Sequence, residues 1–188
     1  MSLLSKKAVV LLLAAVAGFG AINAQAAKAK EKAVAASVSM LGGKFIFTLP
    51  KGFIGDPIPP GPTGANGNMY TNQATKTVVI AAENDLPGQP NLKDNDSAFL
   101  DDTVDSFVKE QRKGLSDFNK LSEKSLTLKK SGLGVRQVDS TVTQGGGLTL
   151  TTTLMAGSGN RMAIVQIISR PTDTKGHDEL VNRIVSGQ

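Results

Sequence analysis

Apolar and polar residues alternate along the C-terminal part of the chain with the short period that β-strands produce. The segment 162–168 is apolar at both parities of this alternation, which predicts a strand buried on both faces. The segment 148–156 alternates aliphatic residues with threonines, which predicts a strand with one exposed face. Glycine-rich turns at 145–147 and 157–159 bound these segments. We therefore predict antiparallel hairpins, with 162–168 in the middle of a sheet that has a covering layer on each side.

Other segments with strand character precede this region. They combine apolar alternation with β-forming residues, and they are 44–49, 68–71, 77–82, 121–128 and 135–143. In the last of them, the apolar positions Val135, Val138 and Val142 change parity once. We interpret that change as a bulge or bend in this strand.

Two segments have helical periodicity. The first begins at Asp96 or Ser97 and ends at Gly114, and the second begins at Asp173 or Thr174. Their apolar faces consist of Leu100, Val104, Phe107 and Val108, and of Leu180, Val181, Ile184 and Val185. This order of elements predicts the α+β class, with an antiparallel sheet of about six to seven strands flanked by two main helices.

The N-terminal residues have the composition of a secretory signal peptide. Lys6 and Lys7 precede the apolar stretch 8–17, and Ala24-Gln25-Ala26 matches a small-residue cleavage site. The apolar stretch is too short to span a membrane, which takes about 20 residues. We predict cleavage after Ala26 and export to the periplasm. The alternative is a signal peptide that is retained as an anchor.

The rest of the chain divides into two parts. Residues 27–39 are rich in alanine and lysine, which predicts a flexible leader or, alternatively, a basic tether to an anionic membrane surface. Residues 40–188 are predicted to form a single domain, since this length can bury one core. The chain has no cysteine, so it lacks disulfides and the lipid-bearing cysteine of a bacterial lipoprotein. We expect a soluble exported protein whose membrane association is at most peripheral.

A proline- and glycine-rich loop is predicted over 51–66, where neither a helix nor a central strand forms readily. Long loops in compact domains often carry function. We assign a partner contact to its apolar residues Ile54, Ile58, Pro59 and Pro60. The alternative is a loop that folds over the sheet edge without binding a partner.

The sequence offers few residues for metal, cofactor or nucleic-acid binding. A single histidine, His177, and no cysteine leave a transition-metal site without its usual ligands. The segment 94–96 is similar to the start of a calcium loop, but Phe99 stands where that loop requires glycine. The chain has neither a concentrated basic stripe nor an aromatic platform for nucleic acid. We expect no cofactor, no metal and no nucleic-acid partner.

The sequence contains the residue types of a Ser-His-Asp catalytic triad, namely Ser140 or Ser169 with His177 and Asp139. The chain contains no G-x-S-x-G nucleophile elbow. His177 stands beside Asp178 near the start of the second helix, and we interpret it as a solvated residue there. We assign no catalytic residue and expect a protein that is not an enzyme.

Several short motifs occur in an order that resembles the DcrB family. They are Leu41–Pro50, Asn68–Tyr70, Gln137–Ser140, Gly159–Met162 and Gln166-Ile167, and the closing helix also fits. The resemblance implies a PsbP-like α/β/α sandwich, export, and a link to cell-envelope integrity and phage entry. It supplies no catalytic residue. The chain departs from the family by lacking the lipoprotein cysteine and by its proline-rich segment 57–62.

These observations lead to three functional hypotheses. The first is a periplasmic, non-catalytic protein of the cell envelope that binds a protein or a lipid partner. The second is a chaperone-like protein that shelters apolar segments of secreted or membrane proteins on a sheet face with Leu148, Leu150 and Leu154, which requires an exposed apolar patch. The third is an enzyme, which requires a concave pocket with carboxylates of shifted pKa.

Overall fold

The computed structural model describes residues 35–59, 65–88 and 91–188. The predicted signal peptide, the leader as far as residue 34, and Pro60 lie outside the described residues. The strands are β1 (Ala36–Met40), β2 (Phe45–Leu49), β3 (Ile54–Pro57), β4 (Asn66–Asn72), β5 (Thr77–Asp85), β6 (Asn119–Thr127), β7 (Gly134–Gln144), β8 (Gly147–Ser158) and β9 (Arg161–Ser169). The helices are α1 (Ser97–Gly114) and α2 (Thr174–Ser186).

Strand β9 occupies the centre of a seven-stranded antiparallel sheet. The strand order is β3-β4-β5-β9-β8-β7-β6, so β9 pairs with β5 on one side and with β8 on the other. Every residue of β9 after Arg161 is buried. The prediction of a central strand that is covered on both faces is confirmed.

Helix α1 covers one face of this sheet. Asp96 caps the helix by accepting a hydrogen bond from the Phe99 amide at 3.0 Å, and the helix ends at Gly114 as predicted. The apolar stripe of α1 packs on alternate residues of the sheet strands. This α1-side core contains Val104, Phe107, Val108, Phe118, Val78, Ile80, Val138, Val142, Met155, Ile164 and Ile168.

Helix α2 and the β1–β2 pair together cover the other face. Phe45, Phe47 and Leu49 alternate toward the sheet along β2 and are fully buried. Asp173 caps the start of helix α2 and Gly187 caps its end, where a left-handed φ of 70° cannot continue the helix. The α2-side core contains Val38, Met40, Phe45, Phe47, Leu49, Phe53, Val79, Val135, Leu154, Val165, Ile167, Leu180, Val181 and Ile184.

The predicted leader extends too far, because residues 36–39 belong to β1. This strand pairs with β2 from Ala36 opposite Leu49 to Met40 opposite Phe45. Its alternation of buried and exposed residues spans only five positions after an alanine-rich run. Burial against the α2-side core, rather than β-propensity, therefore accounts for this strand.

Strands β7 and β8 are more buried than predicted. Val135 faces the α2-side core, whereas Val138 and Val142 face the α1-side core. Their parity change therefore reports burial on both faces, and the predicted bulge in this strand is wrong. The irregularity lies on neighbouring β6, where Leu121 is the extra residue. The threonine face of β8, predicted to be exposed, is buried; it consists of Thr149, Thr151 and Thr153.

Strand β3 forms one edge of the large sheet and pairs with β4. The prolines and glycines predicted a loop over 51–66, and strand β3 lies within that segment. Its position at the edge is consistent with its proline, since proline within a sheet is confined to edge strands. In the part of the chain that the structure describes, no helix is both long and apolar enough to cross a membrane.

Candidate functional site

Polar side chains from three strands and one helix meet among the apolar residues of the α2 side. Asp139 and Thr152 are opposite partners in the β7–β8 pairing, and Ser169 ends β9. Helix α2 places His177 against them, in the turn that follows its N-cap Asp173. Because the members lie on four different elements, no local sequence pattern identifies the set.

These side chains form a continuous chain of hydrogen bonds. Ser169 Oγ lies 3.0 Å from His177 Nδ1, and Thr152 Oγ1 lies 2.9 Å from His177 Nε2. Thr152 Oγ1 also lies 2.7 Å from Asp139 Oδ1. We call Ser169, His177, Thr152 and Asp139 the His177 network.

The carboxylate of Asp139 sets the direction of the protons in the His177 network. An ionised carboxylate only accepts hydrogen bonds, so the Thr152 hydroxyl donates its one hydrogen to Asp139. Thr152 therefore accepts from the Nε2–H of His177. Burial lowers the pKa of His177 below 6.5, so at neutral pH the ring carries no second hydrogen and Nδ1 accepts from the Ser169 hydroxyl. His177 is accordingly the neutral tautomer with its hydrogen on Nε2.

Asp139 is stabilised as a carboxylate at this position. Burial alone would raise its pKa, but hydrogen bonds from Ser122, Thr152 and Gln137 and the charge of Lys124 lower the pKa below 3.8. Ser122 Oγ donates at 2.6 Å, and the Gln137 amide donates to both oxygens at 2.9 and 3.1 Å. This set of donors keeps Asp139 ionised at neutral pH, as the proton directions above require.

His177 is buried, so its interpretation as a solvated residue is wrong. Its side chain is enclosed between α2 and the sheet, and the residue is only 6% exposed. Burial lowers the pKa of His177 below 6.5, and the negative charges of Asp178, Asp139 and Asp173 oppose that shift. The sequence around His177 does not reveal its burial, because the surface that buries it belongs to the sheet.

The structure brings together three of the four residues from which a Ser-His-Asp set was assembled, but not in the arrangement of a catalytic triad. Thr152 stands between Asp139 and His177, and Ser169 is only 3% exposed. Ser140 points to the opposite side, where its hydroxyl donates to the Thr151 carbonyl. The His177 network therefore has the hydrogen bonding of a structural unit, with no exposed nucleophile.

An open cleft of about 680 Å³ lies beside the His177 network. One wall is formed by α2, including Gly176 next to His177, and the other by the turn after β4 and the segment after β2. Phe53 and Leu180 supply apolar surface in the cleft. Polar and charged groups complete the lining, among them Asn72, Thr75, Glu179, Asn182 and Arg183.

The residues of the predicted partner contact do not all lie on one exposed surface. Ile54 is 60% exposed on edge strand β3, and Pro59 is exposed. Ile58 instead packs half-buried against the α1-side core, because its amide continues the pairing with β4 through the Gly67 carbonyl at 2.9 Å. Pro60 lies outside the described residues, so the four-residue contact stays a prediction.

The sheet face assigned to the chaperone hypothesis is mostly covered. Leu154 is fully buried beneath the α2 layer, Leu150 is half-buried, and only Leu148 is exposed, at 50%. The covering layer includes the β1–β2 pair, which the sequence did not reveal in full. A continuous apolar groove along these leucines is therefore not available.

No group of three or more metal-ligating side chains comes together among residues 35–59, 65–88 and 91–188. Asp94, which begins the segment similar to a calcium loop, binds the Lys44 ammonium at 2.7 Å and accepts from Ser158 Oγ at 2.6 Å. These hydrogen bonds lower the pKa of Asp94 below its usual 3.8, with Lys44 as the larger cause. The segment thus ties a loop to the sheet.

Comparison with solved structures identifies the fold. The chain is similar to cyanobacterial PsbP (CyanoP) from Synechocystis sp. PCC 6803, with a TM-score of 0.58, 11% identity, and coverage of 84% of this chain and 95% of that one. The chain has the PsbP-like fold. No protein-family model matches the chain, and no curated protein matches it in sequence.

Two further solved structures resemble this PsbP-like chain more distantly. They are PA94 of Pseudomonas aeruginosa, with a TM-score of 0.47, 12% identity and coverage of 82% and 95%, and LpqN of Mycobacterium tuberculosis, with 0.44, 15%, 73% and 78%. LpqN is involved in cell envelope biogenesis. At identities this low, a shared fold carries no shared function.

Proposed function

We propose that this chain is an exported, non-catalytic binding protein of the cell envelope, as its resemblance to the DcrB family implies. The observation that carries the proposal is the burial of Ser169, Thr152 and His177 in the His177 network. His177 and Ser169, which are residue types that perform catalysis elsewhere, are buried beneath α2, whereas the accessible concave surface is the cleft beside them. The predicted signal peptide supports export.

The cleft supplies the binding surface in this proposal. Its apolar part, with Phe53 and Leu180, fits side chains, and the exposed amide of Asn182 fits backbone groups. Peptide backbones carry both donors and acceptors, whereas acyl chains leave such polar groups without partners. The mixed lining therefore favours an extended segment of a partner protein over a lipid chain.

Charge on the cleft wall adds a selective element. Glu179 and Arg183 lie four residues apart on α2, hence on one face of the helix, and both line the cleft. Glu179 lies 3.8 Å from Lys175 in an exposed ion pair, which contributes little stability. A partner segment that carries one charge of each sign is complementary to this wall.

Photo-crosslinking from the cleft wall tests this function. Benzoylphenylalanine in place of Asn182, which is exposed on α2, is expected to capture one protein species in cells that export the chain. Lys109, exposed on α1 across the sheet, is the matched control position and is expected to capture none. Ile54 serves as the third position, because it probes the loop contact.

The three positions give separable outcomes. Capture from Ile54 but not from Asn182 would contradict the cleft and favour the contact over Ile54, Ile58, Pro59 and Pro60. Equal capture from all positions, or none from any, would contradict specific binding of a protein. An adduct of lipid mass at Asn182 would replace the protein partner with a lipid.

A further inference from the structure

Helix α2 has two roles, since it contributes the buried His177 to the His177 network and forms a wall of the cleft. His177 is its anchor in the network, held through both ring nitrogens at 3.0 and 2.9 Å. Gly176, directly before it, and Leu180, in the next turn, line the cleft. Any event that displaces His177 from the sheet therefore also moves the wall of the cleft.

We propose that protonation of His177 releases the first turns of α2 from the sheet and thereby opens the cleft. The effect on binding rests on the function proposed above, whereas the release of α2 does not. The contact that holds α2 is the His177 network, with Ser169, Thr152 and Asp139 on the sheet and His177 on the helix. We call α2 docked when this network is intact and released when His177 has left the sheet.

The hydrogen-bond directions explain why a second proton is unfavourable in the docked state. Neutral His177 accepts at Nδ1 from the Ser169 hydroxyl, so a proton on Nδ1 requires Ser169 to turn its hydrogen away. Ser169 is 3% exposed, and its hydroxyl cannot turn toward bulk water. An imidazolium in this place is also removed from solvent, which disfavours its charge.

Charged groups on the neighbouring elements oppose this effect only in part. Asp173 and Asp178 on the α2 side and Asp139 on β7 attract a protonated ring. Lys124 on β6 lies 3.4 Å from Asp139 Oδ2 and weakens that attraction. Burial outweighs the acids, so the pKa of His177 lies below 6.5 in the docked state.

The lowered pKa of His177 determines how the docking of α2 on the sheet depends on pH. A released α2 exposes His177 to water, where its pKa returns toward 6.5, so the released state binds a proton more tightly than the docked state. Docking is therefore at full strength above pH 6.5 and weakens as the pH falls from 6.5 toward the docked-state pKa. His177 is the only histidine in a chain without cysteine, so it dominates side-chain titration between about pH 5 and about pH 7.5.

NMR on the uniformly labelled protein tests the release of α2 on protonation of His177, and it needs no binding partner. The single histidine gives one titration curve, expected to have a pKa below 6.5. Amide exchange, corrected for intrinsic rates, is expected to show the opening equilibrium of Gly176–Leu180 rising as the pH falls. The total rise is expected to be tenfold for each pH unit by which the measured pKa lies below 6.5. The amides of α1 are the internal control and are expected to keep their protection.

His177→Gln is the matched variant, since its amide forms hydrogen bonds but does not titrate in this range. Its α2 amides are expected to exchange with no pH dependence beyond the intrinsic one. A wild-type pKa at or above 6.5, equal pH responses in α1 and α2, or a pH response that persists in His177→Gln would overturn the proposal. If the variant does not fold, the comparison of α1 with α2 in the wild type decides alone. Failure of Asn182 crosslinking leaves this result unchanged, so the two proposals fail separately.

Discussion

Ile164→Ala and Ile167→Ala are each expected to lower the free energy of unfolding by about 2–5 kcal/mol, the range for truncation of a buried isoleucine. The two residues lie on opposite faces of β9, with Ile164 in the α1-side core and Ile167 in the α2-side core. Both are almost fully buried, at 2% and 0% exposure. Urea denaturation with linear extrapolation measures the loss.

The comparison of Ile164→Ala with Ile167→Ala tests whether β9 is covered on both faces. A strand covered on one side only would lose stability from one truncation and tolerate the other. Leu148→Ala, at a half-exposed position of β8, is the control and is expected to change stability by no more than about 0.5 kcal/mol. A cost near the control value for either isoleucine would contradict the two-sided burial of β9.

Phe47→Ala is expected to cost about 3–5 kcal/mol, because it removes a fully buried aromatic ring from the α2-side core. Phe47 also packs edge-on against Phe45, with ring centroids 5.7 Å apart, so its loss removes an aromatic contact as well. Equilibrium denaturation of the full chain measures the effect.

Ile46→Ala is the matched control for Phe47→Ala. Ile46 is the adjacent residue of β2, is opposite Ser39 on β1, and is 45% exposed on the outer side of the pair. We expect its truncation to stay within about 0.5 kcal/mol. Similar costs for both variants would mean that the β1–β2 pair does not pack on the sheet through the side described above.

The sequence revealed those features that depend on a long run of consistent pattern. Strand β9 was recognisable because its apolar residues fill both parities over its whole length. Helix α1 was recognisable because a cap at Asp96, an apolar stripe and a stop at Gly114 agree with one another. Local propensity and burial point to the same structure in both elements.

The features that were missed depend on contacts between distant segments. Val135 and Val138 looked like a change of phase because burial of both faces of β7 is visible only once both covering layers are known. β1 was concealed by its length of five residues. The sequence contains no local signal for either, because the surfaces that bury them come from elsewhere in the chain.

The His177 network illustrates the same limit at the candidate site. Ser169, His177 and Asp139 were recognised as residue types, but Thr152, which connects two of them, was not. Its role depends on the β7–β8 register, which sets it opposite Asp139. Register of this kind would have been needed to distinguish a hydrogen-bonded structural unit from a catalytic triad.

The unfolding free energies of Thr152→Val and Thr151→Val test most directly whether the His177 network holds the structure together. Each substitution replaces a hydroxyl by a methyl group of similar volume at a buried position, with 2% exposure at Thr152 and 6% at Thr151. Thr152 bonds both His177 and Asp139, whereas the Thr151 hydroxyl has no hydrogen-bond partner among the described residues. We expect Thr152→Val to cost about 1–3 kcal/mol and Thr151→Val to be neutral or stabilising. Equal effects of the two substitutions would contradict the structural role of the network.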